Sequence, residues 1–198
     1  MASISEPLLW LTRREAWAAD RRSNAIRLGA VGVFTINEFI NYHVLHVVDL
    51  RFHVGSLLIV GIWVLSSILF TILLREHVWP RQISYIIMGT DVLLLTWLLL
   101  LADGPRSPLV VLYFLIIAMS GTRVDPRVCL FTAGAAAFGY GAVLQFTKLQ
   151  KPEFLVPPYH AVIVALALLL TGVVMAHLVG RALSLLGSTL EGRSGAAR

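Results

Sequence analysis

The chain has 198 residues, of which 58% are hydrophobic and 14% are charged, and its mean hydropathy is +0.81. These values exclude an ordinary soluble domain, in which about a quarter of the residues carry charge. The net charge of +5 does not indicate nucleic-acid binding, because the basic residues form no stripe on a soluble surface. We expect the chain to contact membrane lipids and not to bind nucleic acid.

Residues 1–25 predict a cytoplasmic amphipathic helix at the membrane interface. Ser5 supplies an N-cap, Pro7 an early proline, and Trp10 and Trp17 lie seven residues apart on one helix face. Tryptophan is enriched where a membrane meets water. The segment is expected to anchor the chain in the headgroup region, or to offer a docking surface to a partner.

Residues 26–186 contain six apolar stretches separated by short polar loops. Most approach the ~20 residues that a helix needs to cross a bilayer, and the fourth is shorter. Barrel strands are disfavoured because the stretches are continuously apolar rather than alternating. The sequence therefore predicts an all-α polytopic membrane protein, a six-transmembrane-helix bundle. The predicted spans are Ile26–Val48, Ser56–Leu74, Ile83–Ala102, Leu109–Gly121, Val128–Thr147 and His160–Leu186.

The basic residues predict how the bundle is oriented. Of the 16 lysines and arginines, only Arg51, Arg106, Lys148 and Lys151 lie on the side away from the termini. Because cytoplasmic loops carry the excess of Lys and Arg, both termini are expected in the cytoplasm. The predicted location is the bacterial cytoplasmic (inner) membrane.

Residues 187–198 are predicted to form a short flexible cytoplasmic tail, because their glycines weaken a helix. Leu183, Leu186 and Leu190 still recur at helical spacing. They are compatible with a short contact in a homodimer or with simple fraying of the helix end.

Ionisable residues inside the predicted spans are the strongest functional indicators, since burying charge in a membrane is costly. Asp91 and His177 fall at a similar depth when 1.5 Å is counted per helical residue. Their pairing would tune proton or quinone chemistry, or would only hold the bundle together. Glu38, between Asn37 and Asn41, predicts a separate polar stripe on the first span, or is equally a protonated residue that only packs.

Histidines gather near the membrane surface away from the termini. His43 and His46 on the first span and His160 at the start of the sixth could ligate haem b or a metal ion. The main interpretation is that these side chains are interfacial and partly solvated. We therefore expect no cofactor, with haem b or a quinone as the alternative.

The loop between the third and fourth spans is tightly turned. Its glycine permits a turn, its prolines restrict the backbone, and Ser107 can cap the fourth span. It is either the rim of a site for an amphiphile headgroup or only a tight connection. The candidate ligand or quinone residues are Asp103, Gly104, Pro105, Arg106, Ser107, Pro108 and Tyr113.

The order of several features resembles the six-helix N-terminal membrane modules that precede histidine kinases, nucleotide cyclases and diguanylate cyclases in bacterial sensors. The loop is also similar to the Gly-Gly-x-x-Asn-Pro-Phe element of redox-responsive six-helix histidine kinases, with Ser107 in place of Asn and Leu109 in place of Phe. That resemblance implies ubiquinone sensing near the loop. The features that carry it are Asp91–Thr96, Asp103–Pro108, Tyr113-Phe-Leu and Tyr140 in an alanine- and glycine-rich span.

These patterns together predict a non-enzymatic membrane module, a sensor or anchor that responds to a lipophilic or redox ligand and signals to a cytoplasmic partner. No nucleophile, base and orienting group form a recognisable set, and no kinase or cyclase region fits in the tail. The alternatives are a subunit of a larger redox complex that binds haem b or quinone, and a structural subunit that packs through Ala133–Ala137.

Overall fold

The computed structural model describes the backbone of residues 6–46, 49–75, 80–123 and 125–195, while the side chains of residues 1–23, 74–81 and 186–198 lie outside the description. Over these ranges the chain forms helices and turns, with no strand. The helices are α1 (Glu6–His43), α2 (Leu50–Arg75), α3 (Pro80–Leu101), α4 (Val111–Ser120), α5 (Pro126–Gln150) and α6 (Pro158–Gly195).

Successive helices run in opposite directions, so the bundle has two ends. We call the end with residues 44–46, 49, 102–110 and 151–157 the distal end, and the end at which α1 starts and α6 finishes the terminal end. Short 3₁₀ turns, Gly104–Arg106, Pro108–Val110 and Pro152–Phe154, form most of the distal connections. Proline fixes a backbone angle that suits the first position of such a turn, and each of these turns has a proline at its first or second residue.

The centre of the bundle is formed by α3 and α5. Helix α3 packs on α2, α4 and α5, whereas α5 packs on α3, α4 and α6. Leu95, Leu99, Ala136 and Tyr140 on these two helices are fully buried. Helix α1 lies at the edge, where it packs on α2 and on the 3₁₀ turn Gly121–Arg123.

Four helical segments are long and apolar enough to cross a membrane: Leu50–Leu73, Gln82–Leu101, Pro126–Gln150 and Pro158–Leu185. The segment Pro108–Arg123, which contains α4, is apolar but shorter, as the sequence predicted. Large apolar side chains such as Val33, Leu65 and Phe138 are more than half exposed on the outside of the bundle. Lipid is the solvent that suits such a surface.

Helices α1 and α6 are longer than the predicted spans. Helix α1 runs without a break from Glu6 into the first span, and α6 continues to Gly195. The backbone of residues 187–195, part of the tail predicted to be flexible, is helical, and the flexibility of residues 187–198 stays a prediction. Extending an existing helix costs little, because each added residue adds a hydrogen bond, and one glycine costs only about 1 kcal/mol. The side chains of Trp10, Trp17, Leu186 and Leu190 lie outside the described ones, so their predicted contacts stay predictions.

Candidate functional site

The distal loop is built by two consecutive 3₁₀ turns. Gly104 starts the first with a φ of 58°, a left-handed conformation that glycine adopts without strain. A Cβ on Gly104 would lie 2.5 Å from Thr147 Oγ1, so the loop backbone presses directly on α5. The Ser107 hydroxyl accepts a hydrogen bond from the Leu109 backbone N–H at 3.3 Å and caps the second turn. The sequence predicted a cap on the fourth span; in the structure Ser107 caps the 3₁₀ turn that leads into α4, whose own N-cap is Val110.

Beside this loop lies a cavity of about 690 Å³, which we call the distal cavity. Its volume falls within the range of about 300–1,000 Å³ that is typical of small-molecule sites. Its lining includes two acidic residues, two basic residues and six apolar residues. The lining residues are Asp49, Arg51, Phe52, Leu100, Leu101, Ala102, Asp103, Ser107, Leu109, Phe146, Gln150 and Lys151.

Only part of the predicted ligand loop lines the distal cavity. Asp103 and Ser107 do so, whereas Gly104 and Pro105 are buried beneath the loop and Arg106 is exposed outside the lining. Pro108 is likewise exposed and does not line it.

Arg51 and Lys151 also line the cavity, whereas their positions in the sequence identified them only as basic residues on the side away from the termini. The Lys151 ammonium donates to the Ala102 carbonyl at 3.1 Å and lies 5.9 Å from the Phe154 ring. It therefore ties the end of α3 to the start of the α5–α6 connection. The composition of the loop could not reveal this role, because the lysine comes from 49 residues further along the chain.

Tyr113 lies inside the bundle rather than in the distal cavity. It is fully buried, and its hydroxyl is 2.7 Å from Thr96 Oγ1. A Cβ on Gly139 would lie 2.6 Å from Thr96 Oγ1 and 3.0 Å from the Tyr113 hydroxyl. Because these three residues belong to α3, α4 and α5, their contact joins the central helices just below the loop.

A buried ion pair links α1 to α3. The Arg27 guanidinium lies 2.6 Å from Asp91 Oδ1, and the two residues are 4% and 2% exposed. The Trp63 indole N–H of α2 donates to the same oxygen at 2.7 Å, and Arg27 also donates to Ser66 Oγ at 3.0 Å. One carboxylate thus joins three helices. Its contacts with Arg27 and Trp63 offset much of the cost of burying its charge.

The predicted pairing of Asp91 with His177 is wrong. The described partners of Asp91 are Arg27 and Trp63, and His177 is exposed on α6. Depth along the membrane normal was the basis of that prediction, but depth does not say which helices are neighbours. Helix α3 faces α2, while α6 packs on α4 and α5.

Glu38 and His53 form a second polar contact between α1 and α2, nearer the distal end. His53 Nδ1 lies 2.8 Å from Glu38 Oε1 and 2.9 Å from Oε2, and both residues are buried. The Tyr42 ring stacks on the His53 ring with centroids 3.9 Å apart. Glu38 and Asn37 therefore do not form one polar stripe. Neighbouring helix positions point about 100° apart, and Asn37 is exposed whereas Glu38 is buried.

The predicted haem or metal histidines are not gathered at one site. His43 packs its ring against Phe39, with centroids 4.3 Å apart, and its helix packs on α2. His46 is exposed with a φ of 50°, and His160 is exposed at the start of α6. Within the part of the chain that the structure describes, no group of three His, Cys, Asp or Glu residues is placed to hold a metal ion.

Comparison with known families accounts for this arrangement of helices. A family model described as the PilS-like transmembrane domain, a six-transmembrane unit, matches residues 31–186. The chain belongs to the PilS-like transmembrane domain family. It is accordingly a multi-pass membrane protein and a sensor-type membrane module, and the match covers every predicted ligand, polar and histidine residue named above. Searches of curated proteins and of solved structures gave no match.

Proposed function

We propose that this PilS-like domain is a ligand-sensing module that binds an amphiphile in the distal cavity and passes the binding event along α5 and α6 to a cytoplasmic partner. The observation that carries the proposal is the cavity itself. Its lining combines apolar residues, such as Leu101 and Phe146, with charged ones. That combination suits a molecule with a polar head and an apolar body.

A quinone is a redox-active member of this class of ligand. Its ring would lie against the apolar residues, and its carbonyl groups would accept hydrogen bonds from donors in the lining, such as Lys151 and Arg51. The loop beside the cavity is the one that resembles the quinone-linked element of redox-responsive kinases, which supports the same choice. The proposal therefore names a quinone as the first probe.

A continuous packed path leads from the cavity to α6. The loop glycine, Gly104, touches Thr147 on α5, and α5 makes the most extensive helix contact in the bundle with α6. In that contact the Gly172 backbone packs on Ala133, leaving no space for a side chain. Movement of the loop would therefore press on α5 and, through it, on α6. A ligand shifts such a path only if it binds the two arrangements with different affinity.

The cytoplasmic output is inferred from charge and length. The excess of basic residues at the terminal end favours a cytoplasmic location for that end, and α6 extends beyond its apolar part, which ends at Leu185, to Gly195. A helix that leaves the membrane in this way can carry a rotation or a shift of register to a protein domain outside it. The bacterial inner membrane is the location that fits this reading.

Cysteine protection tests the binding site directly. Cys129 is the only cysteine of the chain and is buried. The Cys129→Ala variant is therefore free of cysteine, and a single cysteine can be introduced into it at a chosen position. Leu109→Cys reports on the cavity wall, and Arg106→Cys, exposed on the same loop but outside the lining, is the matched control. Alkylation by a maleimide is then timed in nanodiscs of phosphatidylcholine, with and without ubiquinone-10 or a bacterial total lipid extract.

The proposal predicts that one of these additions slows alkylation of Leu109→Cys and leaves Arg106→Cys unchanged. If quinone alone has this effect, the ligand is a quinone, and if only the lipid extract has it, the ligand is another amphiphile. Equal rates at Leu109→Cys in all three preparations would contradict ligand binding in the distal cavity.

A further inference from the structure

Helix α1 presents an outward face that the described residues leave largely exposed. It packs on α2 and on the turn Gly121–Arg123, and its inward face carries Arg27, Val31 and Glu38, all buried. On the outward face, apolar residues recur at alternating intervals of four and three positions. The members of this seam are Ile26, Ala30, Val33, Asn37, Ile40 and, just beyond the helix end at His43, Val44. Ala30 is only partly exposed, because it also lines a cavity with Leu112 and Leu115 of α4.

The spacing of the seam is typical of a helix that packs along another helix. Intervals of four and three residues average 3.5, the period at which two helices wind around each other and keep the same side chains in contact. Four of the apolar members are well exposed: Ile26 at 48%, Val33 at 69%, Ile40 at 44% and Val44 at 66%. The exposed members of the seam therefore extend over about five helical turns, from Ile26 to Val44 just beyond the end of α1.

Asn37 is the one polar member of the seam, and it is exposed. Its side-chain oxygen accepts from Asn41 Nδ2 at 2.9 Å, whereas its amide N–H groups have no hydrogen bond to any of the described residues. In lipid, an amide N–H group without a hydrogen bond is costly in free energy. In membrane proteins such groups commonly form hydrogen bonds to a neighbouring helix. The residue thus requires a partner with an acceptor at the same depth.

We propose that the seam on α1 is a homodimer interface in which Asn37 of one copy hydrogen-bonds Asn37 of the other. Two copies of a polytopic protein insert in the same direction, so their α1 helices are parallel and each seam residue meets its own counterpart across the two-fold axis. An amide both donates and accepts, so asparagine is complementary to itself. One asparagine in an otherwise apolar seam is also the arrangement that fixes register in parallel helix pairs.

Disulfide trapping of the full-length chain in liposomes tests the geometry. In the Cys129→Ala background, Val33→Cys and Ile40→Cys place a thiol on the seam, while Phe39→Cys and Leu28→Cys place one on exposed parts of α1 outside it. We expect copper phenanthroline to convert the seam variants into covalent dimers and to leave the off-seam variants monomeric. Equal cross-linking of Phe39→Cys and Val33→Cys would overturn the proposal.

Substitution of the asparagine tests the hydrogen bond. Asn37→Val is expected to raise the dissociation constant of the dimer about tenfold, measured by energy transfer between labelled copies as liposomes are diluted with lipid. Asn37→Gln should restore most of the association, because it keeps a self-complementary amide. Helix content and the SDS unfolding midpoint of the Asn37→Val monomer should stay unchanged, which separates association from folding. An unchanged dissociation constant would overturn the proposal. The proposal would also be overturned if Val33→Cys, in native membranes, formed cross-links only with a protein of different mass.

Discussion

The ion pair between Arg27 and Asp91 gives the most quantitative prediction. Replacing Asp91 with leucine removes the partner of a guanidinium that is 4% exposed, and it also removes the acceptor of the Trp63 indole N–H. The pair lies well inside α3, ten residues from its end at Leu101, which corresponds to roughly 15 Å along the helix. The remaining charge of Arg27 would stay buried.

The expected cost follows from the chemistry of buried charge. Removing one partner of a buried ion pair typically costs 3–5 kcal/mol, because the other charge stays buried and uncompensated. Replacing both partners by apolar residues of similar size is often neutral or stabilising. We therefore expect Asp91→Leu to lower the free energy of unfolding by about 3–5 kcal/mol, and the double variant Arg27→Met with Asp91→Leu to recover most of that loss.

The assay is equilibrium unfolding by SDS from dodecyl maltoside micelles, followed by far-ultraviolet circular dichroism. Trp63 provides a second readout, because loss of its hydrogen bond to Asp91 should shift its fluorescence. Asp103→Leu is the matched control, since it removes an exposed carboxylate that has no described hydrogen bond and should leave the midpoint unchanged. The reasoning would be refuted if Asp91→Leu unfolded at the wild-type midpoint, or if the double variant were as unstable as the single one.

Three further substitutions test other contacts of the bundle. Gly104→Ala should lower stability by about 1–2 kcal/mol through a strained positive φ and a clash with Thr147, whereas Gly141→Ala, with open space around it, should have little effect on the SDS midpoint. Gly172→Leu should cost about 1–3 kcal/mol, because the side chain would overlap Ala133 on α5; the same midpoint shift after Gly180→Leu, at an open position, would count against specific α5–α6 packing. His53→Ala should destabilise the α1–α2 contact, as seen by faster proteolysis or hydrogen exchange in α1, because Glu38 would stay buried without its partner; His43→Ala, which removes an exposed ring, should not.

The fold could be predicted from sequence because lipid imposes a simple rule. A spanning segment must satisfy its own backbone, so the continuous apolar runs could only be helices, and their number and order agree with the structure and the family. The ends of α1 and α6 could not be predicted by the same rule. Hydropathy marks where a helix leaves the membrane, but not where its hydrogen bonding stops.

The candidate site was predictable only in its local part. Glycine and proline in the distal loop indicated its turns, and Ser107 caps the turn that leads into α4 rather than α4 itself. The wrong partner of Asp91 and the unpredicted roles of Arg51 and Lys151 share one cause. Those contacts depend on which helices are adjacent and how each is rotated, and a single sequence gives depth and periodicity but not adjacency. The pairing of His53 with Glu38 likewise depends on the contact between α1 and α2.

The most direct test of ligand binding in the distal cavity is lipid mass spectrometry on protein purified in mild detergent. Leu109→Trp should fill the cavity with a bulky side chain, whereas Val111→Trp places the same ring at a position that is 65% exposed and outside the lining. We predict that the wild type and Val111→Trp retain an amphiphile, such as a quinone, that Leu109→Trp lacks. The same complement of bound molecules in all three proteins would contradict the account.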